Sequence, residues 1–337
     1  MRNILFVSQD LGSGNALAPV IKKIIYKDDI SIRVFATKFS KKIFQDLDIS
    51  FTDLDGGIFE NAVDYNPDLI VTGASMRNSV EKDAIIYARQ HSIRSITILD
   101  FWGNYWHRFT IDGNKNPDSL PDFILIPDQI AKDRMIGDGF PEEKLLITGN
   151  PYFDSFSFLK KQKQNNDITS ILFISQPVYK NCRYLTDIKK TRDVIQTVLK
   201  TKQLVNLVIK PHPKESSDYY GIIKSARVKI HWRKDIKPLI RESDIIIGTD
   251  STLLFESVFS GKPVISYQPE KGRKDNLITN KLGLSYLVKS RNELRITIQK
   301  IIKKELKAKT IPPMKYYNDK NCCSRVIKKI KQILQEI

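Results

Sequence analysis

Two short stretches carry residue types suited to holding an anion. Lys210-Pro211-His212-Pro213 follows the apolar run Leu204 to Ile209. Gly248-Thr249-Asp250-Ser251-Thr252 follows Asp244 to Ile247, with Glu256 and Gly261-Lys262-Pro263 further on. Each stands where a strand pattern gives way to a polar turn. Proline on either side of His212 fixes the backbone and so fixes where the imidazole points. His212 can donate to a phosphate, Lys210 can add charge, and Pro213 shapes the turn. In the second stretch Ser251 or Thr252 reads as a helix N-cap. A helix N-terminus offers free amides and the positive end of a dipole, worth roughly 0.3–1 kcal/mol to an exposed anion and ~2 kcal/mol in a partly buried site. Asp250 shares that turn, and Glu256, one turn into the helix, can accept from a sugar hydroxyl. The plainer alternative is a structural histidine and an ordinary capped helix.

A second group lies in the N-terminal half. Asp10-Leu11-Gly12-Ser13-Gly14-Asn15 reads as the first strand-to-helix loop. Position 17 is Leu, so the dinucleotide fingerprint is incomplete and a nicotinamide cofactor is excluded. The run Asp100 to Phe109 crowds aromatic residues around Trp102, with His107 and Arg108 beside them. Such aromatic faces stack on sugar rings, and Arg108 can grip a carboxylate or phosphate bidentately. Asp100, at a strand end, is the first candidate general base, with Asp10 and Glu81 as alternates. Packing of the aromatics against the sheet is the structural alternative. Asn150, in Gly149-Asn150-Pro151, and Gln176 and Lys180 follow further strand ends. Asp53-Leu54-Asp55 precedes Gly56-Gly57, a common turn, and is not read as a metal site. Cys182, Cys322 and Cys323 have neither disulfide nor zinc spacing. No metal or cofactor is expected.

These residues need elements to position them. Apolar runs of four to six residues predict strands at 3–8, 31–36, 68–72, 95–99, 123–127 and 145–148, then at 170–175, 204–209, 228–232, 244–248 and 263–267. Helical spacing lies between many of them, beginning with 16–26, where Leu17, Val20, Ile21 and Ile24 share a face. Strands alternating with helices imply parallel sheets covered on both faces. The expected fold class is α/β, with two Rossmann-like doubly wound domains facing a cleft. The expected domains are 1–155 for an acceptor, a linker at 156–168, 169–305 for a nucleotide-sugar donor, and a basic helical tail at 306–337.

The Lys-Pro-His-Pro turn, the Ser-Thr pair, Glu256 and Gly-Lys-Pro-Val resemble the C-terminal domain of GT-B fold glycosyltransferases over roughly residues 205–267. Bacterial sialyltransferases, polysialyltransferases and Kdo transferases share the His-Pro and Ser-Ser/Thr motifs, and CDP-glycerol transferases look similar there. The resemblance implies a metal-independent transferase moving a CMP-linked nonulosonate or Kdo to a surface-glycan acceptor. By it, His212, Ser251 and Thr252 would hold the donor phosphate. UDP-N-acetylglucosamine 2-epimerases also look similar around Gly149-Asn150-Pro151 and Glu256, which implies a hydrolysing UDP-sugar 2-epimerase as the alternative. A nucleotide-sugar-binding scaffold without catalysis is a third expectation. The Asp/Glu-Asp/Glu-Gly base motif of the sialyltransferases has only partial counterparts in Asp10-Leu11-Gly12 and Asp100 to Gly103.

Bulk composition narrows the partners. The 337 residues carry a formal charge of +17, and 14 Lys/Arg stand against 4 Asp/Glu between Lys289 and Ile337. A basic surface favours phosphate-rich partners. Without a zinc knuckle or an RNA-binding strand motif, nucleic acid is not expected. The expected partners are a nucleotide-sugar donor, a glycan or lipid-linked acceptor, and an anionic membrane surface met by the basic tail. The apolar start is too short for a leader and reads as a first strand, so the expected location is cytoplasmic, peripheral to the inner face of the membrane.

Overall fold

In the computed structural model the described residues are 1–25, 29–54, 59, 63, 66–76, 78–155, 168–180, 183–185, 187–201, 203–232, 236–270, 272, 275, 277–309 and 315–337. The Asp55-Gly56-Gly57 turn, Cys182 and all of the expected linker but Ile168 lie outside them. The chain divides into two compact units, Met1–Phe156 with Pro313–Ile337, and Ser157–Pro312.

Unit 1 runs β1 (Arg2–Ser8), α1 (Leu11–Ile24), β2 (Ile30–Ala36), α2 (Lys38–Asp46), β3 (Thr52–Asp53), β4 (Leu69–Thr72), α3 (Val80–Gln90), β5 (Arg94–Ile98), β6 (Phe123–Ile126), α4 (Gln129–Gly137) and β7 (Leu145–Ile147). Its strands form a seven-stranded sheet in the order β3-β2-β1-β4-β5-β6-β7. Every pairing is parallel. The two-residue period of a strand feeds both faces. Ile4 and Phe6 of β1 enter one buried cluster with Leu17, Val20 and Ile21 of α1. Leu5 and Val7 enter another with Val80 and Ala84 of α3.

Unit 2 runs β8 (Thr169–Ile174), β9 (Val178–Lys180), β10 (Arg183–Leu185), α5 (Ile188–Leu199), β11 (Val205–Lys210), α6 (Asp218–Gly221), β12 (Val228–Ile230), α7 (Lys237–Glu242), β13 (Ile245–Gly248), α8 (Thr252–Phe259), β14 (Val264–Tyr267), α9 (Ile278–Lys281), β15 (Tyr286–Val288) and α10 (Arg291–Ile302). Six strands pair in the order β12-β11-β8-β13-β14-β15, and β9 and β10 form a separate pair. The same alternation holds. Ile171 and Phe173 of β8 face one core, and Leu172 and Ile174 face the other.

The segment expected as a basic tail is built differently. α11 (Cys322–Gln335) belongs to unit 1. Cys323, Val326, Ile330, Ile333 and Leu334 are buried in the same cluster as α1. Cationic content concealed a regular apolar stripe. Asp154 receives the Cys322 and Cys323 amides at 3.0 and 2.8 Å, capping the helix from elsewhere in the unit. Among the described residues no helix is long and apolar enough to cross a membrane.

Ile330→Ala is expected to cost about 2–5 kcal/mol, the usual range for emptying a buried aliphatic site. Urea denaturation followed by fluorescence of unit 1 tryptophans checks it.

Candidate functional site

In unit 1 the chain leaves β1 to opposite sides of the sheet, towards β2 and towards β4. Ligands of doubly wound sheets bind at such a switch point, beyond the carboxyl ends of the strands. The turns after β1, β4 and β5 gather all three candidate bases there. Glu81, in the first turn of α3, accepts the Gln9 amide at 2.9 Å and the Ser75 hydroxyl at 2.6 Å. Ser75 Oγ also accepts the Asp10 amide at 3.1 Å. Asp100, just past β5, pairs with Arg108 at 2.8 Å; Arg108 is buried and Asp100 is slightly exposed. Arg108 donates further to the carbonyls of Gly103 and Ala74. Gly12 lies directly against Asp100, where a Cβ would meet the carboxylate oxygen at 1.8 Å.

The electrostatics follow from burial. Removal from water pushes Asp100 above the usual aspartate range, and Arg108 pulls it partly back. Burial likewise raises Glu81, against the Ser75 and Ser13 hydroxyls, while Asp10 adds a small repulsion. Lys82 is buried beside this group and its ammonium falls to about 8, first from desolvation, with Glu81 opposing. Its Nζ donates to the His107 carbonyl at 3.1 Å. Asn150 Nδ2 donates to the Asp100 carbonyl at 3.3 Å, joining the β7 turn to the same edge.

Several expectations change. α1 starts at Leu11 rather than 16, so Gly12 and Gly14 are helical and not in a loop. Gly14 serves packing, since a Cβ there would meet Ile43 and Ser40 of α2 at 3.0–3.3 Å. Asn15 is half-buried on the same helix. Trp102 is not a sugar platform. It is buried in a stack with Phe153 and Tyr317 and donates to Asp128, which also receives the Tyr317 hydroxyl. His107 is exposed, with its ring over Gly113. Arg108 serves Asp100 and two carbonyls, which explains its burial without an external anion.

In unit 2, β8 lies between β11 and β13. His212, at the β11 tip, has its ring held through Nδ1, which accepts the Lys214 amide at 3.1 Å. An amide can only donate, so Nδ1 is unprotonated and Nε2 carries the hydrogen. Burial first, then Lys214 and Lys210, depress the imidazole to about 4. Glu215 is buried and accepts the His212 amide at 2.6 Å, the Ser175 hydroxyl at 2.9 Å and the Tyr220 hydroxyl at 3.1 Å. Lys210 turns back to the Pro211 carbonyl at 2.9 Å, and burial lowers its affinity for protons. Pro213 is exposed.

At the β13 tip, Ser251 is the N-cap of α8, its hydroxyl accepting the Leu253 amide at 3.2 Å. Gln176, past β8, accepts the Asp250 amide at 2.9 Å. Glu256 is buried in α8. The side chains of Lys180 and Thr252 lie outside the described residues. Composition and motif reading passed over Ser75, Lys82, Ser175, Glu215 and Tyr220. Glu215 had a usable signal, a carboxylate three residues after the turn opens, the spacing by which Glu reaches back in a capping box.

Two outcomes are expected here. Arg108→Met leaves a buried carboxylate without its cation and should cost about 3–5 kcal/mol in chemical denaturation, partly recovered by Asp100→Leu in the same chain. His212 binds its proton near 4 when folded and near 6.5 when unfolded. The unfolded chain therefore holds more protons between those values, and stability rises with pH across that window. His212→Gln should flatten that rise in pH-dependent melting curves.

No protein-family model matches the chain, and no curated protein matches it. Solved structures do. MnaA of S. aureus with UDP superposes at a TM-score of 0.76 with 14% identity, over 100% of this chain and 98% of that one. The UDP-GlcNAc 2-epimerase of Neisseria meningitidis bound to UDP-GlcNAc gives 0.74 with 16% identity, over 98% and 100%. Anabaena Alr3699/HepE with UDP and glucose gives 0.61 with 14% identity, over 100% and 98%. These are GT-B-like proteins, and the likeness establishes two Rossmann-like α/β units in this chain. It overturns the expected CMP-nonulosonate or CMP-Kdo transferase: the full-length likeness is to UDP-GlcNAc 2-epimerases and other UDP complexes.

Proposed function

We propose that this chain is an enzyme that binds a UDP-sugar and inverts the sugar at C2 with loss of UDP, a hydrolysing UDP-sugar 2-epimerase. The observation that carries the reading is the gathering of Asp10, Glu81 and Asp100 at one edge of unit 1 with Arg108 and Lys82 among them. Inverting C2 needs one group to remove a proton from one face and another to deliver a proton to the opposite face. A single transferase base would not require such a set.

The chemistry closes as follows. A carboxylate removes the C2 hydrogen as the C1–oxygen bond to the diphosphate breaks, leaving a C1=C2 double bond and UDP. Water then adds to C1 while a proton enters C2 from the other face, giving the free 2-epimeric sugar. Asp100 and Glu81, both raised above the ordinary carboxylate range by burial, are the groups assigned the proton exchange at C2.

Unit 2 supplies the nucleotide side of the proposal. β11 and β13 are two strand spacings apart, about 9–10 Å. A diphosphate bridges that separation more fully than the single phosphate of a CMP-sugar. His212 offers a neutral Nε2–H donor, and the N-terminus of α8 offers the positive end of its dipole. Both stabilise the charge that grows on the departing diphosphate.

Incubation with UDP-GlcNAc in D2O, without any acceptor, should release UDP and a free 2-epimer carrying deuterium at C2. Absence of both UDP release and C2 deuterium overturns the reading. Asp100→Asn or Glu81→Gln should slow the reaction about 10²–10⁴-fold. The wild-type rate should climb with pH through a value above the ordinary carboxyl range, because the base must be deprotonated, and Asp100→Asn should remove that limb.

A further inference from the structure

The turn that presents His212 is closed by one residue from both sides. The Glu215 amide donates to the His212 carbonyl at 2.9 Å, and Glu215 Oε2 accepts the His212 amide at 2.6 Å. Both hydrogen-bonding groups of the His212 backbone are thereby committed to Glu215. The same closure aims the Lys214 amide at Nδ1. The other carboxylate oxygen accepts the hydroxyls of Ser175 and Tyr220, whose oxygens lie 3.0 Å apart. All three of these residues are buried. Tyr220 sits edge-on to Trp232, with ring centroids 5.6 Å apart. A carboxylate inside the protein is costly unless its lone pairs are filled, and here three donors fill them. The arrangement is far more than a loop needs to keep its shape, and it converges on one imidazole.

We propose that Glu215 is a positioning residue that locks His212 into the single tautomer with Nε2–H presented to the diphosphate of the bound nucleotide. The role rests on the reading of unit 2 as the nucleotide side. Glu215 touches no substrate in this scheme. It acts through the backbone of the turn, with Ser175 anchoring it to β8 and Tyr220 to α6. Because Gln176, next in sequence to Ser175, holds the Asp250 amide, the brace is continuous with the β13 turn. Two sets of hydrogen bonds, joined by the Ser175–Gln176 backbone, thus tie three adjacent strand tips together.

The test pairs a signature of the free protein with a binding measurement. The chain is labelled with ¹⁵N-histidine, and the His212 ring signals are assigned by their loss in His212→Gln. Wild type should show unprotonated Nδ1 and protonated Nε2 at pH 7. Glu215→Ala should give averaged signals from both tautomers and weaken UDP binding at least about tenfold by calorimetry, the scale of a lost hydrogen bond to a charged group. Glu215→Gln keeps an acceptor for the His212 amide and should retain the tautomer and affinity within about threefold. If Glu215→Ala does not fold, Glu215→Asp keeps the charge, shortens the arm by one methylene and should show the same loss. A Glu215→Ala or Glu215→Asp chain that folds, keeps the single tautomer and binds UDP as wild type overturns the proposal. A wild type with the single tautomer, scrambled by Glu215→Ala, that binds no UDP supports the brace and overturns the nucleotide reading.

Discussion

A parallel sheet sends every strand-to-helix turn out at the same edge, because each crossover carries the chain back before the next strand begins. That constraint does most of the gathering in this protein. Residues scattered from 9 to 150 in sequence meet at one edge of unit 1, and residues from 175 to 251 line one edge of unit 2. The sheet interiors hold this geometry by burying alternate residues of each strand in opposite cores. The polar turns are then fixed side by side, a strand spacing apart, before any side chain is chosen.

The two edges use charge in opposite ways. Unit 1 concentrates it: buried carboxylates stand beside an arginine and a lysine, and their proton affinities move towards neutrality. Such a set suits proton transfer. Unit 2 suppresses it. His212 is kept neutral by burial and by neighbouring lysines, and Lys210 is also pushed towards its neutral form. A neutral donor binds an anion through direction as much as through charge.

The fold class was legible in the sequence because buried parallel strands read as short apolar runs between helical spacings. The polar turns after β11 and β13 were legible too, since proline, glycine and N-cap residues have strong local meanings. Other parts depended on partners that local pattern does not contain. Trp102 reads as a loop aromatic until it is placed against Asp128 and Tyr317, the latter pair 189 residues apart. Gly14 looks like a loop glycine because Gly-Ser-Gly and Pro19 are poor helix formers, yet tertiary contact with α2 keeps the helix from Leu11. The basic tail concealed its apolar stripe for a comparable reason: net charge is a sum, whereas helix burial depends on spacing. CMP was implied only by a resemblance resting on residues read as phosphate-holding, and phosphate is common to CMP- and UDP-sugars.

The place of α11 has a consequence for how the protein is made. Its apolar stripe completes a core that residues 1–156 begin, but Ser157–Pro312 must be synthesised in between. At ~5–20 residues per second that interval is roughly 8–30 s. During it, Leu17, Val20 and their neighbours on the nascent chain lack the surface that later covers them, while unit 2 acquires all of its own sequence first. The second unit in order of translation is therefore the first whose whole sequence is available, and the core of the N-terminal one is complete only when α11 is added.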